Sequence, residues 1–283
     1  MLLALLLAAA APDPMRELLA LDLRVARVGD RLARAGGCDG VLSAPGWIVQ
    51  DVEQYAPRLR ETARRSLGLG DAPTIVGLMP GGAAAGAGLA EGDQIVGVDG
   101  RSVDQLARGR GRYARMAAVE EAIEQGLRTG QVTVRMRRRD GARDVRLEAE
   151  RGCPSRFQLL PGKGLNAEAD GRYVQVSGAL VEFAGSDDEL ALVVAHELAH
   201  NILGHRVALK GRRMRTRDAE LAADAKALEL MGKAGYDIAV APVFWRRLGQ
   251  RGLPDWLRDG SHPSTKERVA RAEAAVAQAR ARP

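Results

Sequence analysis

Ser186-Asp187-Asp188-Glu189-Leu190-Ala191-Leu192-Val193-Val194-Ala195-His196-Glu197-Leu198-Ala199-His200-Asn201-Ile202-Leu203-Gly204 reads as one helix with both ends written into it. Ser186 and Glu189 form an S-x-x-E capping box, and the acidic residues of the first turn suit the positive end of the helix dipole. Gly204 is the expected stop. Its apolar residues lie on every side, the pattern of a buried helix. Inside it stands His196-Glu197-Leu198-Ala199-His200. Positions four apart differ by about 40° around a helix axis, so both imidazoles share one face and can share one metal. Two histidines and a glutamate on a buried helix need partners, because unpaired polar groups are costly there. A zinc ion supplies them, with Glu197 as the general base toward the hydrolytic water. All four histidines of the 283 residues fall between positions 196 and 262.

A catalytic zinc takes three protein ligands and keeps one position open. His205 is the nearest further candidate. On a continued helix, however, it lies about 180° around the axis from His196, so it reads as a C-terminal helix residue favoured by the dipole. A histidine six residues beyond the second would fall at 206, which is Arg206. The better third ligand is Glu220, in the helical stretch Asp218-Ala219-Glu220-Leu221-Ala222-Ala223-Asp224. Glu220 and Asp224 share a face, and a carboxylate one turn on can brace a metal-bound histidine.

Together with Ser261-His262-Pro263-Ser264-Thr265-Lys266-Glu267-Arg268, these motifs resemble the zinc metallopeptidase family of the CAAX prenyl protease, HtpX, BepA and the Oma-type proteases. The resemblance covers about residues 155–275. It implies a mainly helical zincin-type domain with a small edge-strand sheet, one zinc ion per chain on His196, His200 and Glu220, Glu197 as base, and Asp224 orienting a ligand histidine. It also implies that His262 helps stabilise the oxyanion. The segment 165–180 is similar to the family's edge strand and following helix, and Tyr173, Val174, Gln175, Val176 and Ser177 are expected to pair with an extended peptide substrate. Glu168 and Asp170 depart from the apolar residues common in relatives, which touches substrate preference.

Residues 74–103 read as strand, tight turn, Ala/Gly-rich helix, strand and Asp-Gly hairpin, followed by a short helix near 119–126 and a hairpin at Asp140-Gly141. This resembles a PDZ domain of bacterial envelope proteases, with the stretch 104–117 longer than usual. PDZ domains add a peptide, often a chain end, as an extra strand. Leu67, Gly68 and Leu69 are the expected loop for its carboxylate, against the alternative of a Gly-rich linker.

The expected fold class is therefore α+β, divided as a signal segment at 1–14, a helical segment at 15–65 packing on the rest, a PDZ-like β domain at 66–150, and the metallopeptidase domain at 155–283. The net charge of +6 comes from Arg-rich runs without interleaved aromatics, so no nucleic-acid partner is expected. The apolar start, ending in alanines, resembles a signal peptide. It points to a periplasmic or secreted protein, or to a cytoplasmic one if Met15 is the true start. No run of 18 apolar residues predicts a membrane span. Cys38 and Cys153 can form a disulfide in an oxidising compartment, or remain buried thiols in a reducing one. The function expected is a zinc endopeptidase acting on unfolded or exposed polypeptide in envelope quality control, with a C-terminal peptide as a PDZ ligand. The alternative is a PDZ adaptor with a latent protease domain.

Overall fold

The computed structural model describes residues 13–106, 109–160, 162–206, 216–251 and 263–281. Residues 1–12 of the expected signal segment 1–14, and His262, lie outside them. Two large apolar cores, one under a β-sheet and one among helices, and a small third cluster around Val52, Ala63, Leu69 and Val76 organise the described residues.

The first core lies beneath a six-stranded sheet of order β1-β2-β3-β5-β6, with β4 paired to β3. Its strands are β1 Trp47–Gln50, β2 Thr74–Leu78, β3 Gln94–Val98, β4 Arg101–Ser102, β5 Gln131–Arg138 and β6 Gly141–Glu148. The β3–β4 turn places Asp99 at φ 47° and Gly100 at φ 76°. Two successive left-handed residues suit a type I′ hairpin turn, and Asp-Gly is a favoured pair for it. Helix α5 (Ala114–Arg128) closes the core with Val119, Ile123 and Leu127 against Ile75, Ile95, Val134 and Leu147. Short helices α3 (Ala83–Gly86) and α4 (Val103–Leu106) complete the unit.

This sheet begins earlier in the chain than the sequence pattern suggests. Strand β1, inside a segment that reads as helical, pairs antiparallel with β2. Four residues are too few to display an alternation that could be distinguished from a helical face.

The second core joins helices far apart in sequence. Helix α1 (Pro14–Ala35) is capped by Asp13, whose side chain accepts from the Met15 and Arg16 backbone N–H groups. It buries Val25, Val28 and Leu32 with the central helix, α7 (Asp187–Ile202). Around α7 lie α6 (Gly178–Phe183), α8 (Thr216–Lys233), α9 (Val240–Gln250) and α10 (Thr265–Arg280). Ala219, Ala223 and Ala227 of α8 are fully buried and give that helix a small-residue face toward the core. Gly29 lets α1 approach the second sheet, because a Cβ there would sit 2.1 Å from the Phe157 ring.

That second sheet has three strands in the order β7-β9-β8, namely β7 Arg156–Leu160, β9 Tyr173–Ser177 and β8 Ala167–Ala169. Strand β9 runs parallel to β7 on one side and antiparallel to β8 on the other.

One disulfide inside the helical unit and two sets of ion pairs at its boundary with the sheet unit hold the arrangement. A Cys38–Cys153 disulfide, with Cα atoms 4.9 Å apart, ties the end of α1 to the chain entering β7. Arg34 of α1 pairs with Glu150 at 2.6 Å. Glu124 of α5, its side chain 5% exposed, takes Arg156 at 3.1 Å and Arg172 at 2.8 Å. Among the described residues no helix is long and apolar enough to cross a membrane.

Candidate metal centre

Helix α7 starts where Ser186 accepts from the Glu189 N–H, as the capping box requires. Its register turns His196 and His200 to one side, where their Nε2 atoms lie 3.1 Å apart. Helix α8 brings Glu220 to the same point. Its Oε2 is 3.3 Å from His196 Nε2 and its Oε1 is 3.3 Å from His200 Nε2. One ligand atom from each of the three falls within 4.8 Å of the others. Zinc bonds of about 2.0–2.1 Å in tetrahedral geometry give ligand–ligand edges of about 3.3 Å. The two imidazoles and the carboxylate therefore fit a zinc ion in both chemistry and spacing.

The other side of the cluster is braced. Asp224, one turn after Glu220, accepts from His196 Nδ1 at 2.9 Å. Arg268 of α10 grips Asp224 through two bonds of 2.8 Å and reaches Glu220 Oε2 at 3.5 Å. Its guanidinium carbon lies 4.0 Å from the centroid of the Trp245 ring, which covers this buried charge. Arg268 was legible only as a letter of the late motif, because nothing in a sequence shows which arginine will be 3% exposed behind a metal pocket. His205 is also buried, at 2% exposure, with its Nδ1 2.9 Å from His200 Nδ1.

The electrostatics follow from this packing. Burial works to raise the Glu220 carboxyl, but its bonds to His196 and His200 hold it far below the ordinary range. Burial likewise raises Asp224, and Arg268 with His196 brings it below its usual value. For His196 burial lowers the pKa, while Asp224 and Glu220 raise it to a higher net value. Burial raises Glu197 above an ordinary glutamate, against the pull of His196 and His200. Burial, then the nearby His200, lower His205 to about 4.

Two expectations are corrected. Residues Tyr173, Val174, Gln175, Val176 and Ser177 form β9, whose two edges are already occupied by β7 and β8. A peptide cannot add to a strand paired on both sides. The end strand beside α7 is β8, Ala167–Ala169. Asn201, which follows His200, accepts from Gly171 N–H at 2.7 Å and donates to the Tyr173 carbonyl at 3.1 Å. The β8–β9 turn is thus clamped to the metal-site helix. The expectation for β9 came from the resemblance of segment 165–180 to the family's edge strand, whereas fully buried Val174 and Val176 mark a central strand and not a free edge.

The second correction concerns Leu67, Gly68 and Leu69. Leu67 ends α2 (Pro57–Leu67), and Gly68 at φ 68° is its left-handed cap. Leu69 is buried with Val52, Ala63 and Val76. Beyond it, the Gly70 N–H donates to Thr74 Oγ1 at 3.0 Å, and those of Asp71 and Ala72 donate to Gln94 Oε1. The N–H groups of Gly70, Asp71 and Ala72 are thus engaged within the fold, and Leu69 turns its side chain into the core beside them.

A cleft of about 830 Å³ opens elsewhere, bounded by the end strand β1, by α5 through Met116 and Glu120, by α1 and by β7. Leu18, Leu59 and Tyr113, all large apolar or aromatic side chains left exposed, line it.

The comparisons with known proteins agree with this architecture. Residues 148–214 and 210–276 match the model of peptidase family M48, and residues 64–121 match that of the PDZ domain. A stretch matching the PDZ domain is thus followed by one matching peptidase family M48, and the three converging donors His196, His200 and Glu220 lie within the second. Among characterised proteins the chain is similar to the mitochondrial metalloendopeptidase OMA1 of Arabidopsis thaliana, 32% identical over 130 residues, covering 35% of this chain and 26% of the relative. The match spans about a quarter of that relative's length.

Proposed function

We propose that the protein is a zinc-dependent endopeptidase that cleaves unfolded or exposed polypeptide, with its PDZ domain binding peptide chain ends. The observation that carries this reading is the meeting of His196, His200 and Glu220 within 4.8 Å, with Glu197 on the same helix and 5% exposed. A zinc ion held there supplies Lewis-acid chemistry, polarising a peptide carbonyl and acidifying a water molecule. Glu197 takes a proton from the attacking water as its oxygen bonds the carbonyl carbon. The same carboxyl then gives that proton to the leaving nitrogen as the C–N bond breaks. Asp224, itself gripped by Arg268, fixes the tautomer and direction of His196. Substrate adds to the β8 edge, where backbone pairing reads conformation more than side chains, and Asn201 keeps that edge in register with the metal helix.

The PDZ ligand lies in the cleft between β1 and α5, its apolar residues against Leu18, Leu59 and Tyr113. The protein works in an oxidising compartment, periplasmic or secreted, in envelope protein quality control. The Cys38–Cys153 disulfide supports the compartment, since such bonds persist where thiols are not kept reduced.

The test is casein digestion by the purified chain with and without a chelator, alongside Glu197→Gln and metal analysis of both proteins. Chelator-sensitive cleavage, lost in a Glu197→Gln protein that retains its zinc, supports the reading. Cleavage that survives both changes removes it.

A further inference from the structure

We infer that His205 is a positioning residue for the metal centre, its Nδ1 accepting the Nδ1–H of His200 so that His200 presents a bare Nε2 to the metal. This inference rests on the zinc reading above and assigns a part to a residue which that reading leaves idle.

The argument begins with the path of the chain. Helix α7 ends at Ile202, and Gly204 turns left-handed at φ 65°. That turn cancels the outward direction a continued helix would give position 205, and brings the side chain back beneath His200. The two rings meet at 75° with centroids 4.9 Å apart, and His205 is buried.

Two imidazole Nδ1 atoms 2.9 Å apart share one proton, because a pair of bare nitrogens would repel and a pair of N–H groups would collide. His200 Nε2 faces Glu220 and His196, the side on which a metal is held. A metal takes a bare nitrogen, so the proton of a neutral His200 sits on Nδ1. His200 is then the donor, His205 Nδ1 the acceptor, and the proton of His205 lies on its Nε2. His205 approaches the far side of the His200 ring, so it is not itself a ligand; the converging donor group consists of His196, His200 and Glu220.

The two ligand histidines are therefore backed by unlike acceptors. Asp224 gives His196 a charged partner gripped by Arg268. His205 gives His200 a neutral one, enclosed by the fold. The neutral acceptor orients the ring without adding a further carboxylate to a pocket that already holds Glu197, Glu220 and Asp224.

Two measurements test this. In zinc-loaded protein with 15N-labelled histidine, long-range 1H–15N spectra report the tautomer of each ring. His200 is expected with its proton on Nδ1, and His205 with a bare Nδ1 and its proton on Nε2. A proton on His205 Nδ1 overturns the inference without any variant being needed. Second, zinc affinity is measured by competition with a chromophoric chelator. His205→Leu fills the space without an acceptor and should weaken zinc by about 10–100-fold, the usual cost of losing such an outer partner. His205→Asn, whose Oδ1 can stand where Nδ1 stood, should recover most of that loss. Equal affinity in the wild-type, Leu and Asn proteins, or equal loss in both variants, overturns the positioning role. Should the wild-type chain itself fail to bind one zinc, the metal reading falls first and this inference with it.

Discussion

The metal centre and the interdomain cleft are built on opposite plans. At the centre, three donors from two helices meet within 4.8 Å, and an outer residue holds the far nitrogen of each histidine. The cleft spans about 830 Å³, draws on α1, β1, α5 and β7, and keeps Leu18 at 54% and Tyr113 at 59% exposure. A reacting group must be fixed to a fraction of an ångström, whereas a docking surface gains from adaptable apolar contacts. Substitutions at the centre should therefore act all-or-none, and those at the cleft should grade.

The largest effect is expected at Glu197. Glu197→Gln should lower peptide hydrolysis by on the order of 10²–10⁴-fold with zinc content unchanged, as read by a fluorogenic peptide assay and metal analysis. A smaller loss would show that the centre tolerates change as the cleft does. Close behind it, Glu220→Gln should reduce zinc occupancy and activity together, and chelated wild-type protein should recover activity when zinc is restored. Recovery of the Glu220→Gln protein at high zinc would show a weakened site, while failure to recover would show a broken one.

Between the two regions lies the ionic joint at Glu124. Burial pushes this carboxyl up, but Arg156 and Arg172 outweigh it and leave Glu124 below its ordinary value. Glu124→Gln should cost about 2 kcal/mol in thermal unfolding, less than a fully buried pair, because Arg172 remains 36% exposed. The sign with pH follows from the depressed carboxyl. Its stabilisation is complete above about 4.5, the unperturbed value, and is lost as pH falls through the lower folded value. The gap in melting temperature between wild type and Glu124→Gln should therefore close in acid, and a gap that widened would contradict the assignment. The smallest effect belongs to the cleft itself. Leu18→Glu or Leu59→Glu should weaken binding of a C-terminal peptide about 10-fold by fluorescence anisotropy, a loss of about 1.4 kcal/mol, and leave hydrolysis of a short peptide unchanged.

Residue spacing carried much of the centre. The i, i+4 histidines, the i, i+4 pair Glu220 and Asp224, and the Ser186 cap are local geometry, and a helix converts that geometry into a shared face whatever surrounds it. The hairpin at Asp99-Gly100 was legible for the same reason, since backbone signs at a turn are chosen by the turn residues, while the second hairpin turns one residue earlier than expected, through Arg139-Asp140. The strand edges were not. Val174 and Val176 mark a strand that is buried, while the free edge belongs to β8, a strand of only three residues. Which strand is central depends on what pairs across the sheet, and pairing is a property of segments distant in sequence.

Sequence alone determined that this chain holds two imidazoles and a glutamate on one helix face, a carboxylate helix to meet them, and a PDZ-like sheet before them, because each is set within a few residues. Tertiary structure alone decided that α1 joins the helical core, that β1 opens the PDZ sheet, that Arg268 comes to rest behind Asp224, and that His205 turns back toward His200. The physical reason is that these placements come from burial and close approach between segments far apart in the chain, or, for His205, from a helix ending early enough to reverse the side chain that follows it.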